Sequence, residues 1–368
     1  MSTKTAVGIV GCGNISSAYL QAPLLFDNLY VAGCADIDLK RAQSQAEKYG
    51  VPRACSVEEV LADPDIDIVV NLTVPAAHAV ISLAALAGGK SVHSEKPLAI
   101  NREDGQAILQ AARTKQLRMG CAPDTFLGGG LQTCIKLIND GEIGTPIAAT
   151  AFMANHGMEH WHPDPHFFYQ PGAGPLFDVG PYYLTALIAM LGPVERVTSS
   201  TKVTFSERII TSEPKAGTKI PVNTPTHITG LMDFASGAVG TIITSFDVWH
   251  HSLPYIEIYG TEGSISAPDP NTFRGPVYLR RAKDDRWHEV PLTHGYTNNS
   301  RGLGLADMAQ AMRSGRRHRA NGEVAYHVLD VIESFMQSSR EGRHITLSST
   351  CARPEPFAPG EHSWEDDN

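Results

Sequence analysis

Residues 4–16, Lys-Thr-Ala-Val-Gly-Ile-Val-Gly-Cys-Gly-Asn-Ile-Ser, constrain the fold more than any other stretch of this chain. An apolar, β-prone run ends in Gly11-Cys12-Gly13, and a helix-compatible run follows over 15–20. A strand that breaks on paired glycines straight into a helix aims free helical N–H groups at the turn, where they hold a dinucleotide pyrophosphate. Gly11 permits the tight turn, Gly13 lets backbone approach the phosphates, and Asn14 and Ile15 open the helix. Ser16 replaces the third glycine of the pattern and is small enough for close helix–strand packing. A second apolar run, 30–35, ends at Asp36, 23 positions after Gly13. A carboxylate at about that distance grips the adenosine ribose hydroxyls. Asp36 also reads as the N-cap of a helix over 39–49. The absence of Arg at Ile37 and Asp38 favours NAD over NADP, while Lys40 and Arg41 keep NADP within reach.

At 368 residues the chain exceeds what one core usually fills, so two domains are expected. The formal net charge of −9 argues against a nucleic-acid or anionic-membrane partner. A first strand starting near residue 4 leaves no room for a signal peptide, and no apolar run approaches bilayer-spanning length. The six cysteines (Cys12, Cys34, Cys55, Cys121, Cys134 and Cys351) form no C-x-x-C pair. They read as reduced, mostly buried thiols of a cytoplasmic enzyme.

Strand and helix patterns alternate to residue 122, which predicts a parallel, doubly wound α/β Rossmann domain over 1–122. Ser56-Val57-Glu58-Glu59 has the form of a capping box. From 123 to 349 the rhythm changes to an α+β domain with a large, mostly antiparallel open-faced sheet. Its expected elements are a helix over 131–139, a His-, Trp-, Pro- and Gly-rich loop over 155–174, one apolar helix over 176–191, and then mainly strands. Two helices close the fold. The tail, 350–368, carries Pro354, Pro356 and Pro359 and is expected to lie over the surface or to be mobile.

Glu95-Lys96-Pro97 directly after a strand, Ala35-Asp36 with Lys48-Tyr49-Gly50 after it, Gly172 to Asp178-Val179-Gly180, and Ile256 to Ser264 together resemble the Gfo/Idh/MocA family of sugar and polyol oxidoreductases. The resemblance runs from about residue 4 to about 345. It implies hydride transfer between a nicotinamide cofactor and a carbinol carbon of a sugar, polyol or sugar-derived acid, at the seam between the domains. It also implies a homo-oligomer, dimer or tetramer, formed through the second sheet. Two positions depart from the family pattern. Tyr182 stands where many members carry an acid/base histidine, and Pro123-Asp124 stands where many read Asn-Arg.

Within that resemblance Lys96, Asp178 and Tyr182 form the expected catalytic set. Lys96 supplies positive charge and hydrogen bonds to the reacting oxygen, and a nearby Asp178 keeps it charged. An adjacent ammonium is expected to lower the phenol's pKa, so that Tyr182 does the work of the missing histidine. The other reading has Tyr182 only packing or orienting substrate, with proton transfer by a loop histidine or by water. His160, Trp161 and His162 are the expected substrate contacts, joined by Lys96, Asp178 and Tyr182. The alternating histidines suggest a metal at first sight, but Pro163 and Pro165 imply a rigid loop, and no metal is expected. On the cofactor side Thr73, Pro75 and His78 follow the fourth strand at the ligand-binding edge of the sheet. Glu95 resembles the residue that meets the nicotinamide ribose. Gly128, Gly129 and Gly130 either let backbone approach the cofactor or make a flexible interdomain turn. Two other classes compete: a glycoside hydrolase that oxidises transiently with tightly held NAD, and a nucleotide-sensing regulator, against which Lys96 and Asp178 argue.

Overall fold

The computed structural model describes residues 4–359. Its first half is a six-stranded parallel sheet built from β1 (Thr5–Val10), β2 (Leu29–Ala35), β3 (Ala54–Cys55), β4 (Ile68–Asn71), β5 (Ser91–Ser94) and β6 (Met119–Cys121). The strand order is β3-β2-β1-β4-β5-β6. The connecting helices are α1 (Ser16–Leu20), α2 (Ala22–Leu25), α3 (Leu39–Tyr49), α4 (Val57–Ala62), α5 (His78–Ala87) and α6 (Arg102–Lys115). Helices on both faces bury β4 at every position, which is why it reads as a continuous apolar run. Local chemistry sets the helix ends. The Ser56–Glu59 capping box opens α4, the Asn101 side chain accepts from the Asp104 amide to open α6, and Gly50 closes α3 at φ 66°. The order reverses between β1 and β4, and this switch point is where doubly wound sheets bind ligands.

The second half begins with α7 (Gly129–Asn139) and β7 (Pro146–Ala154), followed by α8 (Gly174–Asp178) and α9 (Gly180–Leu191). The sheet continues with β8 (Val194–Lys202) and then, past the separate two-stranded unit β9 (Glu207–Ile209) and β10 (Lys219–Pro221), with β11 (His227–Phe234) and β12 (Val239–Ser245). It ends with β13 (Ile256–Gly260), β14 (Gly263–Ala267), β15 (Val277–Arg281) and β16 (His288–Val290). After α10 (Leu303–Ser314) and α11 (Gly322–Glu341), β17 (Ile345–Thr346) completes a nine-stranded sheet, ordered β16-β15-β14-β13-β7-β12-β11-β8-β17. Within it only β7 and β12 pair in parallel. One face packs on helices, with Ile228, Met232 and Ile242 buried, while Leu231, Val239 and Thr241 stand on the other face. Among the described residues no helix is long and apolar enough to cross a membrane.

Several expectations change. The helix expected over 176–191 is two helices broken at Val179, with Pro181 in the first turn of the second. Gly128–Gly130 are buried in a packed helix start. They open α7 against other backbone, where a Cβ on Gly130 would stand 2.2 Å from the Arg274 carbonyl oxygen. The last two helices also return to the first sheet: the Cys121 amide donates to the Ala320 carbonyl, and Arg102 pairs with Asp330 on α11. Nor is the tail mobile as far as it is described. Phe357 and Cys351 are buried, Arg353 Nε donates to the Ala189 carbonyl at 2.6 Å, and the Phe357 amide donates to Gln132. The acidic end, Glu365 to Asn368, lies outside the described residues.

Candidate active site

Lys96 leaves the end of β5, Asp178 is the last residue of α8, and Tyr182 lies in the first turn of α9. The break at Val179 lets these two helices present both side chains to the same lysine. Lys96 Nζ donates to Asp178 Oδ1 at 2.8 Å and to the Asp178 backbone carbonyl, and it sits 5.3 Å from the centroid of the Tyr182 ring. Burial works against the ammonium, but Asp178, Tyr182 and Glu95 outweigh it, and the Lys96 pKa rises. The lysine is therefore a fixed cation at neutral pH.

Tyr182 departs from expectation. Burial raises the phenol's pKa, and Glu95 adds to that; the lowering by Lys96 and Arg301 does not overcome it. The resting group is a neutral phenol rather than a phenolate. Glu95 ties the cluster together from below: Oε1 accepts from Tyr19 Oη at 2.9 Å and Oε2 from the Lys96 amide at 3.1 Å.

The cofactor cradle lies at the switch point. A Cβ on Gly11 would stand 2.6 Å from the Leu72 carbonyl, and φ there is +101°, so only glycine fits as the turn passes the end of β4. A Cβ on Gly13 meets nothing within 4 Å, which leaves open space over the exposed turn. Asp36 is 8% exposed; Oδ2 accepts from the Cys12 amide at 2.8 Å, Oδ1 from the Asp38 amide at 2.9 Å, and Arg41 lies 3.3 Å away. The N-cap of α3 is Asp38, whose side chain accepts from the Lys40 amide, and not Asp36. Freed of that task, Asp36 is aimed at the turn. Cys12, Gly13, Asn14, Ser17 and Arg41 line a cavity of about 570 Å³ there, while Ile15 is half-buried at the N-cap of α1. The open turn and the carboxylate beside it fit a dinucleotide.

Thr73 and Pro75 lie on the loop after β4, and Thr73 Oγ1 donates to Asn71 Oδ1 at 2.7 Å. His78 is not free to meet a ligand. It is 1% exposed, with Nδ1 2.6 Å from the Pro97 carbonyl oxygen and Nε2 3.0 Å from that of Thr73. Its ring clasps the cofactor-side loop to the Glu95-Lys96-Pro97 turn.

The loop histidines are not brought together at Lys96. His160 lines a separate cavity of about 790 Å³ with His156, Phe205, Arg208 and Trp249, and none of Lys96, Asp178 or Tyr182 borders it. Trp161 is 57% exposed, and His162 Nδ1 accepts from the Asp164 amide at 3.1 Å. Among the described residues no group of three or more His, Cys, Asp or Glu side chains is placed to hold a metal ion.

Sequence reasoning missed Arg301 and Tyr19, and marked Asp124 only as a departure from the family pattern. Arg301 faces Tyr182 and is anchored by Asn271 Oδ1 at 2.7 Å and Asn299 Oδ1 at 2.9 Å. Asp124, fully enclosed, accepts from the amides of Gly302 and Gly304 at the start of α10. Burial pushes its pKa up to about 6. The departure from the family's Asn-Arg was visible at Pro123-Asp124, but nothing local in Asn298-Asn299-Ser300-Arg301 indicated where that arginine reaches.

A parallel sheet with a glycine turn at its switch point, joined to a broad open sheet and sharing a half-buried Lys–Asp pair, defines a two-domain Rossmann oxidoreductase. The chain belongs to the Gfo/Idh/MocA family. Residues 5–122 match the oxidoreductase family with NAD-binding Rossmann fold, and residues 131–266 match the GFO/IDH/MocA C-terminal domain. It is similar to the levoglucosan dehydrogenase of Pseudarthrobacter phenanthrenivorans, 28% identical over 286 residues that span 70% of this chain and 72% of the relative. A second relative is the 1,5-anhydro-D-fructose reductase of Ensifer adhaerens, 26% identical over 293 residues, 77% of this chain and 82% of the relative. The fold superposes on an NAD binding oxidoreductase from Klebsiella pneumoniae with TM-score 0.82 at 23% identity, covering 94% of this chain and 100% of the other. A levoglucosan dehydrogenase solved with NADH and levoglucosan gives TM-score 0.80 at 22% identity, covering 94% and 100%.

Proposed function

We propose that this chain is an NAD-dependent dehydrogenase acting on a carbinol carbon of a sugar, polyol or sugar-derived acid. The observation that carries the reading is the Lys96–Asp178 pair beside the Tyr182 ring, at the ligand edge of an NAD-binding Rossmann domain. Gly11, Gly13, Asn14, Ile15, Asp36, Thr73, Pro75 and Glu95 hold the dinucleotide in this reading, and the bound nicotinamide supplies the hydride acceptor or donor. Lys96 holds the reacting oxygen by charge and hydrogen bond, and Asp178 holds Lys96. Tyr182, a neutral phenol, gives a proton to the oxygen when a carbonyl is reduced and takes one back, as phenolate, when the alcohol is oxidised. The cation–phenol pairing thus matches carbonyl reduction in its resting protonation state. The relatives' names, levoglucosan dehydrogenase and anhydrofructose reductase, support the substrate class. The outer face of the nine-stranded sheet is proposed as the surface through which copies of the chain associate.

The test is NADH absorbance during a screen of sugars and polyols with NAD and NADP. Stoichiometric reduction of NAD is expected with at least one substrate. Lys96→Ala should abolish turnover while NAD affinity stays within a few-fold; a variant that keeps most of its kcat would place the chemistry elsewhere.

A further inference from the structure

Away from Lys96, a cavity of about 420 Å³ opens between the C-terminal turn of α6 and the N-terminal turn of α11. Arg113, Arg118, Arg316 and Arg317 line it, against a single lining carboxylate, Glu323. This concentration of cations stands out in a chain whose net charge is −9. The local run Arg316-Arg317-His318-Arg319 takes no part in the proposed hydride chemistry.

The pairing of these arginines is incomplete. Arg317 lies 3.0 Å and Arg113 3.7 Å from Glu323, so two cations share one carboxylate. Arg316 and Arg319 likewise share the buried Asp307, each at 2.6 Å. Arg118 has no carboxylate partner among the described residues. Its guanidinium donates to two backbone carbonyls, Arg316 at 2.6 Å and Ala311 at 3.1 Å. The four lining guanidiniums therefore face one lining carboxylate, an excess of three charges that the buried Asp307 behind Arg316 only partly offsets. Burial and then the neighbouring Arg316 make Arg118 easier to deprotonate, and the opposing pull of the buried Asp307 does not overcome them. His318, kept neutral by burial with a pKa of about 4, adds no charge at neutral pH.

We propose that this cavity binds a phosphate dianion, either free phosphate or a small phosphomonoester. Guanidinium forks match phosphate oxygens in pairs, and a dianion offsets most of the charge excess. The N-terminus of the 20-residue helix α11 contributes as well. Asn321 caps the Val324 amide at 3.1 Å, and the first-turn amides of Gly322 and Glu323, both cavity-lining residues, have no intrahelical partner. The volume exceeds that of a bare phosphate and leaves room for a small organic group. One wall comes from α6 and β6, the other from the segment between α10 and α11, so an occupied cavity ties the C-terminal helices to the first sheet.

Calorimetry on the full chain, saturated with NAD so that its dinucleotide cradle is filled, tests this with inorganic phosphate and with phenyl phosphate, against sodium chloride of equal ionic strength. Saturable one-to-one binding is expected, with a matching rise in Tm. Affinity should fall about tenfold or more, the scale of one lost charge-assisted contact, in Arg118→Gln. The same fall is expected in the exposed double variant Arg113→Ala/Arg317→Ala, which keeps the test decisive if Arg118→Gln fails to fold. Equal affinity for both probes assigns the site to free phosphate, and tighter phenyl phosphate assigns it to an ester. No saturable heat beyond the chloride control, parental affinity in the double variant, or retention on heparin without a phosphate response overturns the proposal.

Discussion

At the scale of single residues the Tyr182 phenol decides the pH behaviour. Its pKa is raised, with burial the largest cause, so it stays protonated through neutral pH. Alcohol oxidation, which needs the phenolate, should rise with pH along a limb above about 10, the free phenol value. Carbonyl reduction should fall along the same limb. Tyr182→Phe is expected to lower kcat by about 10²–10⁴-fold and erase the limb, and Tyr182→His should restore part of the rate with a limb near about 6.5. A Phe variant with parental kcat and an unchanged limb, in a stopped-flow pH series, would leave Tyr182 a packing residue. Lys96 and Asp178 were legible through the family resemblance of Glu95-Lys96-Pro97 and Asp178-Val179-Gly180, and the structure brings the two together at 2.8 Å. The sign of the Tyr182 shift was not, because it depends on burial, and burial is set by α9 packing along its whole length. The placement of the loop histidines was illegible for a similar reason: alternation on an extended segment says which side they share, not which cavity that side faces.

At the scale of elements, the strand–turn–helix at the N-terminus gives a paired test. Gly11→Ala forces a Cβ onto the Leu72 backbone at a positive φ, so it should destabilise the fold itself. Gly13→Ala meets no protein atom within 4 Å, so its Tm should stay parental while NAD affinity falls. Equal melting losses in both variants would contradict this separation. The start of α10 offers a second test. Asp124 has its pKa raised to about 6 from 3.8, so the native state holds its proton more tightly than the unfolded chain does. Its contribution to stability is therefore intact below about 3.8 and is lost as pH rises toward about 6, by up to about 3 kcal/mol. Asp124→Asn keeps an acceptor for Gly302 and Gly304 and removes the buried charge. Its stability at pH 8 should rise relative to the parent, and the pH dependence of urea unfolding between pH 4 and 6 should flatten. Capped helices such as α4 and α6 were readable because their ends are chemical. Strands β9, β10, β16 and β17, two or three residues long, carry too few positions for a period and exist only through their pairing partners.

At the scale of the whole molecule, the sequence order of the two halves was clear but their spatial mixing was not. The change from alternating to strand-rich pattern shows where the second sheet begins. Nothing in the periodicity of α10 and α11 says that they fold back beside β6, since an amphipathic helix fits either sheet. The described part of the tail was misread on composition: three prolines suggested slack, whereas the backbone is held by Gln132, Ala189 and Phe357 packing. The outer face of the large sheet leaves Leu231 and Val239 44% and 47% exposed, with Thr241 paired beside Leu231. If copies associate there, Leu231→Asp should shift the mass measured by light scattering toward the monomer while the melting of the first domain's core is unchanged. An identical mass for variant and parent at equal concentration would move the interface elsewhere.

The clasp on Asp36 bears on how long a nucleotide stays. Its carboxylate receives the Cys12 and Asp38 amides and lies beside Arg41, so both of its oxygens are held by the protein itself. A ribose hydroxyl bonding this carboxylate would add to, or exchange with, contacts the protein already makes, which limits the net gain from that bond. In the proposed dehydrogenase such a cradle would favour a co-substrate that leaves after each turnover, and NAD that stays bound through repeated gel filtration would contradict it.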